Sequence, residues 1–159
     1  MPEKKTIQRA REDARQGKGP GTQAGEFVRE EIEHIREGKH GARSSRQAIA
    51  IGLSKARRAG VKLPAPKRGK VSERVRTKAE RDYAKGQSGR TAKPSSRRSR
   101  ATEAALKREG HQAASHRALS SHSKQAAKAR RKRPLFRQRQ RVSGLAVWRG
   151  GSGSGVVRQ

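Results

Sequence analysis

Five histidines, His34, His40, His111, His116 and His122, are the side chains of this sequence that could carry charge changes near neutral pH or bind a soft metal. Both uses need partners. The chain has no cysteine, so no thiolate site is available. His111 and His116 are five positions apart and His116 and His122 are six apart. Neither spacing puts a pair on one helix face. With neither cysteines nor nearby carboxylates, no metal site and no cofactor are expected, and the five read as surface histidines of a basic chain. Catalytic patterns are missing as well. There is no G-x-S-x-G, no G-x-x-x-x-G-K-[ST] and no H-E-x-x-H. Carboxylates gather between Glu26 and Glu37. Such an acidic helix face is either solvated or paired with basic segments elsewhere. No enzyme is expected.

The chemistry this sequence does offer is the binding of anions. It holds 42 Lys and Arg against 13 Asp and Glu, a formal charge of +29. The densest run is Lys128-Ala129-Arg130-Arg131-Lys132-Arg133, followed by Arg137, Arg139 and Arg141. The last acidic residue is Glu109, so nothing nearby in sequence neutralises that run. A second group, Lys67, Arg68 and Lys70, lies in Pro66-Lys67-Arg68-Gly69-Lys70. It resembles the Arg-Gly hooks that enter narrow minor grooves, without their closing proline. Arg97, Arg98 and Arg100 form a third group. Cations so placed neutralise phosphates and release counterions, which gives affinity with little sequence preference. Aromatic side chains are few: Phe27, Tyr83, Phe136 and Trp148. Single-strand binding by base stacking is disfavoured on that ground, and duplex DNA is favoured over RNA. The basic segments lack an apolar face, so a membrane surface is the weaker partner.

Few residues are available to position these groups. Leu, Ile, Val and Phe make up 21 of 159 residues, below the roughly 20% under which strongly charged chains stay largely disordered. Nine of the 21 fall between Thr22 and Leu63: Phe27, Val28, Ile32, Ile35, Ile49, Ile51, Leu53, Val61 and Leu63. Residues 1–63 carry 15 basic and 8 acidic side chains, a net of +7, whereas residues 64–159 carry 27 and 5, a net of +22. The chain therefore divides into an N-terminal helix and linker (1–21), a helical hairpin (22–63) and a basic, partly helical arm (64–159).

The fold class is all-α. A first hairpin helix is expected over Gly25–Arg36, with Phe27, Val28, Ile32 and Ile35 on one face, Thr22 as N-cap and Gly38 as the stop. A second is expected over Arg46–Arg58. Ser44 and Gln47 read as its capping box, and Gly60 ends it. The run Ala48-Ile49-Ala50-Ile51-Gly52-Leu53 also alternates like a strand, but alanine content and the end signals favour helix. Ile49, Leu53 and Ala56 then form its core stripe, with Ile51 off it, partly exposed or facing a second copy of the chain. So small a hairpin is expected to be marginal alone, or to form a homo-oligomer. Shorter helices are expected over residues 4–16 and 72–85, a linker over 86–100, and partial helix over 101–133, ended by Pro134. The flanks of Ser45–Gly60 and Ser99–Gly110 echo each other weakly, each a polar cap, an alanine-rich stretch, a basic end and a glycine.

The stretch from Gly38 to Gly60, with its Gln47-Ala48-Ile49-Ala50-Ile51-Gly52-Leu53-Ser54 core and Lys55-Ala56-Arg57-Arg58-Ala59-Gly60 end, resembles a family of small basic bacterial proteins of unknown function. The resemblance covers residues 1–65 well and 97–133 loosely. It implies a bacterial or phage origin and a cytoplasmic setting, which for a DNA-binding chain would be the nucleoid, and brings no activity with it. The sequence thus points to a histone-like, nucleoid-associated protein that contacts DNA phosphates. The alternatives are a basic protein bound to RNA or the ribosome, and a module that docks on a protein through the hairpin.

Overall fold

The computed structural model describes residues 2–89 and 95–131. Among them the structure is all-helical. The helices are α1 (Lys4–Arg15), α2 (Pro20–Arg36), α3 (Ser45–Arg58), α4 (Glu73–Gln87), α5 (Ser96–Lys107) and α6 (His116–Arg131), with a 3-10 turn at Gln112–Ala114. The chain divides into two units, residues 1–122 and 123–159. Of the second, the described part is the C-terminal half of α6.

The local signals of α3 act as expected. Its alternating run is helical. The Gln47 amide donates to Ser44 Oγ at 3.3 Å. The reciprocal bond reaches one residue further back: Gln47 Oε1 accepts from the Arg43 amide at 3.0 Å. Gly38 and Gly60 follow α2 and α3 at φ +74° and +94°. There the amides of Lys39 and Val61 close back onto the carbonyls of His34 and Ala56, a turn that needs a left-handed residue. The start of α2 differs from expectation. It begins at Pro20, five residues early, with Gly19 as N-cap and Thr22 inside the first turn. Proline's fixed φ suits the first helical position, where its missing amide would have no partner in any case. Likewise α5 begins at Ser96, so Arg97, Arg98 and Arg100 are helical rather than linker residues.

The core lies between α2 and α3. Ala24 and Phe27 from the start of α2 meet Ala56 from the end of α3, and Ile35 from the end of α2 meets Ala48 from the start of α3. The two helices therefore run antiparallel. The face α3 buries is Ser45, Ala48, Gly52 and Ala56; of the expected Ile49, Leu53 and Ala56 stripe, Ala56 alone lies on it. Ile49, Ile51 and Leu53 are half-buried flanks. Small side chains win the central positions because the backbones nearly touch. A Cβ built on Gly52 would lie 2.7 Å from Val28 Cα and 3.0 Å from the Phe27 carbonyl oxygen.

Cover for this hairpin comes from both sides in sequence. Ala10 and Ile7 of α1 join Phe27, Val61 and Leu63. Ala113 and Ala114 of the 3-10 turn join Ile35, Ala42 and Ala48. That turn is held by Ser45 Oγ donating to the Ala113 carbonyl at 2.7 Å and by Arg36 Nε donating to the Ala114 carbonyl at 3.0 Å. At the other end of α3, Arg57 is buried and donates to the carbonyls of Leu63 and Pro64. Burial pulls its guanidinium below the ordinary arginine value. Ser54 Oγ donates to Asp82 at 2.6 Å and brings in α4. The loops after α2 and α5 also join: the amides of Gly41 and Ala42 donate to the carbonyls of Leu106 and Gly110. Ser115, one helix later, caps α6 by accepting from the Ala118 amide at 3.3 Å. A Ser cap also follows an Arg-Glu-Gly sequence twice: Arg36-Glu37-Gly38 precedes capping Ser44, and Arg108-Glu109-Gly110 precedes capping Ser115.

The close approach at Gly52 makes a direct prediction. Replacing Gly52 with valine must push α2 and α3 apart, and unfolding free energy should fall by about 2 kcal/mol or more, from overpacking. Gly25 lies exposed in α2 with nothing within 4 Å of an added Cβ. Gly25→Ala should raise stability by about 0.5–1 kcal/mol. Urea titrations followed by circular dichroism read both.

Candidate functional site

The sequence-derived cations occupy three places. Lys67, Arg68 and Lys70 form an exposed turn between α3 and α4, where the Lys70 amide donates to the Lys67 carbonyl at 3.2 Å and Gly69 has φ +75°. Arg97, Arg98 and Arg100 lie exposed in the first two turns of α5. That helix has no acidic residue in its first turn and no side-chain cap on Ser95. Its free amides and the guanidiniums beside them carry positive charge of the same sign, an arrangement that favours an anion. Lys128, Arg130 and Arg131 are exposed in the last turn of α6. There they also complement the negative end of the helix dipole. Lys132, Arg133, Arg137, Arg139 and Arg141 lie outside the described residues. The three described groups are separate along the chain; what they share is exposure and lack of an ion-pair partner among the described residues.

None of these nine cations makes an ion pair among the described residues, and the reason lies in the carboxylates. All acidic residues except Glu33 and Asp82 are in ion pairs, and Asp82 is bonded to Ser54. Their partners are other cations: Lys18 on Asp13 at 2.7 Å, Lys39 on Glu37 at 2.8 Å, Lys107 on Glu103 at 2.9 Å, and Arg76 on both Glu73 and Glu80. The hydrogen bonds from Arg76 hold the Glu73 carboxyl below its ordinary value, and that from Lys107 does the same for Glu103.

A second group was not found by sequence reasoning. Glu31 sits on the core face of α2, one turn after Phe27 and one before Ile35, and its side chain is 1% exposed. Lys55 of α3 brings Nζ to 2.6 Å from Glu31 Oε2 and 3.6 Å from Glu30 Oε1. His40, from the loop after α2, brings Nε2 to 3.4 Å from Glu31 Oε1. His34 Nε2 donates to Glu3 Oε1 at 2.9 Å, and this bond, first among its causes, draws the Glu3 carboxyl below its ordinary value. The His34 and His40 rings meet edge to face at 6.0 Å. The Glu3 amide donates to Glu30 Oε2 at 3.3 Å. Of the acidic run expected to be solvated or to pair with the basic arm, Glu30 and Glu31 are instead buried within the hairpin, while Glu33 and Glu37 are exposed. His34 and His40 are only 14% and 15% exposed, whereas His111 is exposed and His122 is half-buried. The sequence did carry one signal. Glu31 and His34 share a helix face at i, i+3, and Glu31 falls in register with Phe27 and Ile35.

The fold and charge arrangement define a basic, all-helical protein whose folded hairpin uses nearly all its acids internally. Residues 5–68 match the model of a family of unknown function (DUF6496). The match takes in α1, α2, α3 and the turn that begins at Lys67, less than half of the chain. No curated protein and no solved structure matches. Among the described residues, no helix is long and apolar enough to cross a membrane.

The buried pair of Lys55 with Glu31 can be tested by breaking it. Lys55→Met should cost about 3 kcal/mol, because the carboxylate is left buried without its counter-charge. The double variant Glu31→Leu/Lys55→Met should recover most of that loss, since apolar side chains of similar size replace the pair without a desolvation penalty. A double-mutant cycle of unfolding free energies measures the coupling.

Proposed function

We propose that this chain is a non-enzymatic nucleic-acid-binding protein, histone-like or nucleoid-associated in character, that contacts duplex DNA phosphates with little sequence specificity. The observation that supports this reading is the separation of charge. Nine described cations on the 67–70 turn, α5 and α6 are exposed and lack ion-pair partners among the described residues, while the carboxylates that could neutralise them are engaged elsewhere. Phosphates arriving at these cations displace only water and loosely held counterions. The folded hairpin in this scheme takes no direct part in contacting phosphate.

Binding of this kind follows counterion release, so log affinity for duplex DNA should fall linearly with log salt. Lys67→Gln/Arg68→Gln/Lys70→Gln should make that slope shallower by about 2.7, or about 0.9 for each phosphate no longer neutralised. Lys18→Gln, which removes a cation already paired with Asp13, should leave the slope unchanged. Fluorescence anisotropy on a labelled duplex between low and moderate salt measures all three. An affinity independent of salt would overturn the proposal. Stronger binding to a structured RNA of matched length would move it to the RNA-associated alternative.

A further inference from the structure

We propose that Glu31, His34 and His40 form a binding site for one divalent transition-metal ion of the zinc class. One ligand atom from each of the three lies within 4.8 Å of the others. The 3.4 Å between His40 Nε2 and Glu31 Oε1 matches the roughly 3.3 Å edge of a tetrahedron with ligand bonds of about 2.0–2.1 Å. Two imidazoles and a carboxylate are a donor set that zinc accepts, with the fourth position left to water.

Three further observations support the site. Glu31 Oε1 is buried without a hydrogen-bond donor and faces His40 Nε2 at 3.4 Å, whereas Lys55 Nζ already meets Glu31 Oε2 at 2.6 Å. Buried acceptors of that kind are costly unless a cation meets them. Each histidine also has one ring nitrogen engaged with a group that can only accept. His34 Nε2 donates to Glu3 Oε1 at 2.9 Å, and His40 Nδ1 donates to the Gly41 carbonyl at 3.2 Å. In the neutral tautomer with the proton on that nitrogen, the other ring nitrogen of each carries the lone pair that a metal ion would use. Metal-binding histidines are held in this way, their second N–H fixed by a carboxylate or a backbone carbonyl. The His40 nitrogen left over is the one that faces Glu31. Two lone pairs would oppose each other there, and a cation between them turns that repulsion into two bonds.

Charge balance agrees. Among the described residues, the lysines paired with Glu3, Glu30, Glu31 and Glu37 in this cluster are Lys39 and Lys55. With neutral histidines the local charge is negative, in a chain of net charge +29. Lys55 is the competitor for Glu31. It has a second partner at hand in Glu30, so a metal on Glu31 leaves the ammonium paired.

The test uses the full chain, stripped with a chelator and kept free of nucleic acid. Titration with zinc in a calorimeter should give one site per chain, and cobalt(II) should give the strong visible bands of a tetrahedral N/O complex. His34→Gln and His40→Gln should each weaken binding about 100-fold or more. Glu3→Gln, which removes only the outer carboxylate, should weaken it about 10–100-fold. His111→Gln/His116→Gln/His122→Gln should leave it within about twofold of the parent. Circular dichroism on each variant separates ligand loss from unfolding, and His40, in a loop, is the replacement least able to disturb a helix. Absence of stoichiometric binding in the folded parent would overturn the proposal. So would binding that survives His34→Gln and His40→Gln but is lost in the triple variant, which would assign the metal to the other three histidines.

Discussion

The contact on which this structure depends is that of Lys55 with Glu31, buried where α2 meets α3. The apolar groups available to the hairpin are few, and they separate into two clusters. One is centred on Phe27 and the other on Ile35. Glu31 lies between them on the same face of α2, so the middle layer of the interface is ionic. A buried ion pair adds little net stability, because desolvation offsets most of the attraction. What it does is fix register. Any slip of α3 along α2 leaves a carboxylate in the core without a counter-charge. In a hairpin whose α3 face is mostly small residues, Ser45, Ala48, Gly52 and Ala56, that penalty supplies a specificity the packing alone would lack.

The small residues and the ion pair act together. Gly52 lets the backbones approach until Val28 Cα and the Phe27 carbonyl occupy the space of a missing side chain. Lys55, one turn further on, then reaches Glu31 from the same face of α3. The half-buried isoleucines and Leu53 flank this seam instead of filling it. Longer-range elements close the rest. The 3-10 turn at Gln112–Ala114 seals the Ile35 end through Ser45 and Arg36, while α4 seals the other through Ser54. A hairpin with few large side chains is thereby covered by its own chain.

The same ionic economy shapes the surface. Carboxylates are scarce and most are committed to ion pairs elsewhere, so few are left for the exposed cations of the 67–70 turn, α5 and α6. The phosphate contacts proposed for the exposed cations and the metal site proposed at Glu31 would both follow from one distribution of charge. They need not compete, because Glu31 is 1% exposed while Lys67, Arg68, Lys70 and the α5 arginines face water.

The sequence by itself determined the helices. Alanine content, the Ser44–Gln47 cap and the stops at Gly38 and Gly60 are local preferences, set within a few residues of backbone, and all four act in the structure as they read. The exposure of the basic groups was legible for the same reason, since runs without apolar neighbours have no core to enter. Which face of α3 turns inward was decided only by tertiary structure. Hydrophobicity favoured Ile49 and Leu53 beside Ala56, but the distance between two backbones favoured Ala48 and Gly52 in their place, and no local signal encodes that distance. The inward turn of Glu31, and its meeting with His40 and Lys55, lay beyond the sequence for a related reason. Glu31 stood in register with Phe27 and Ile35, but a carboxylate is assigned to the surface until the fold shows the lysine that accompanies it inside.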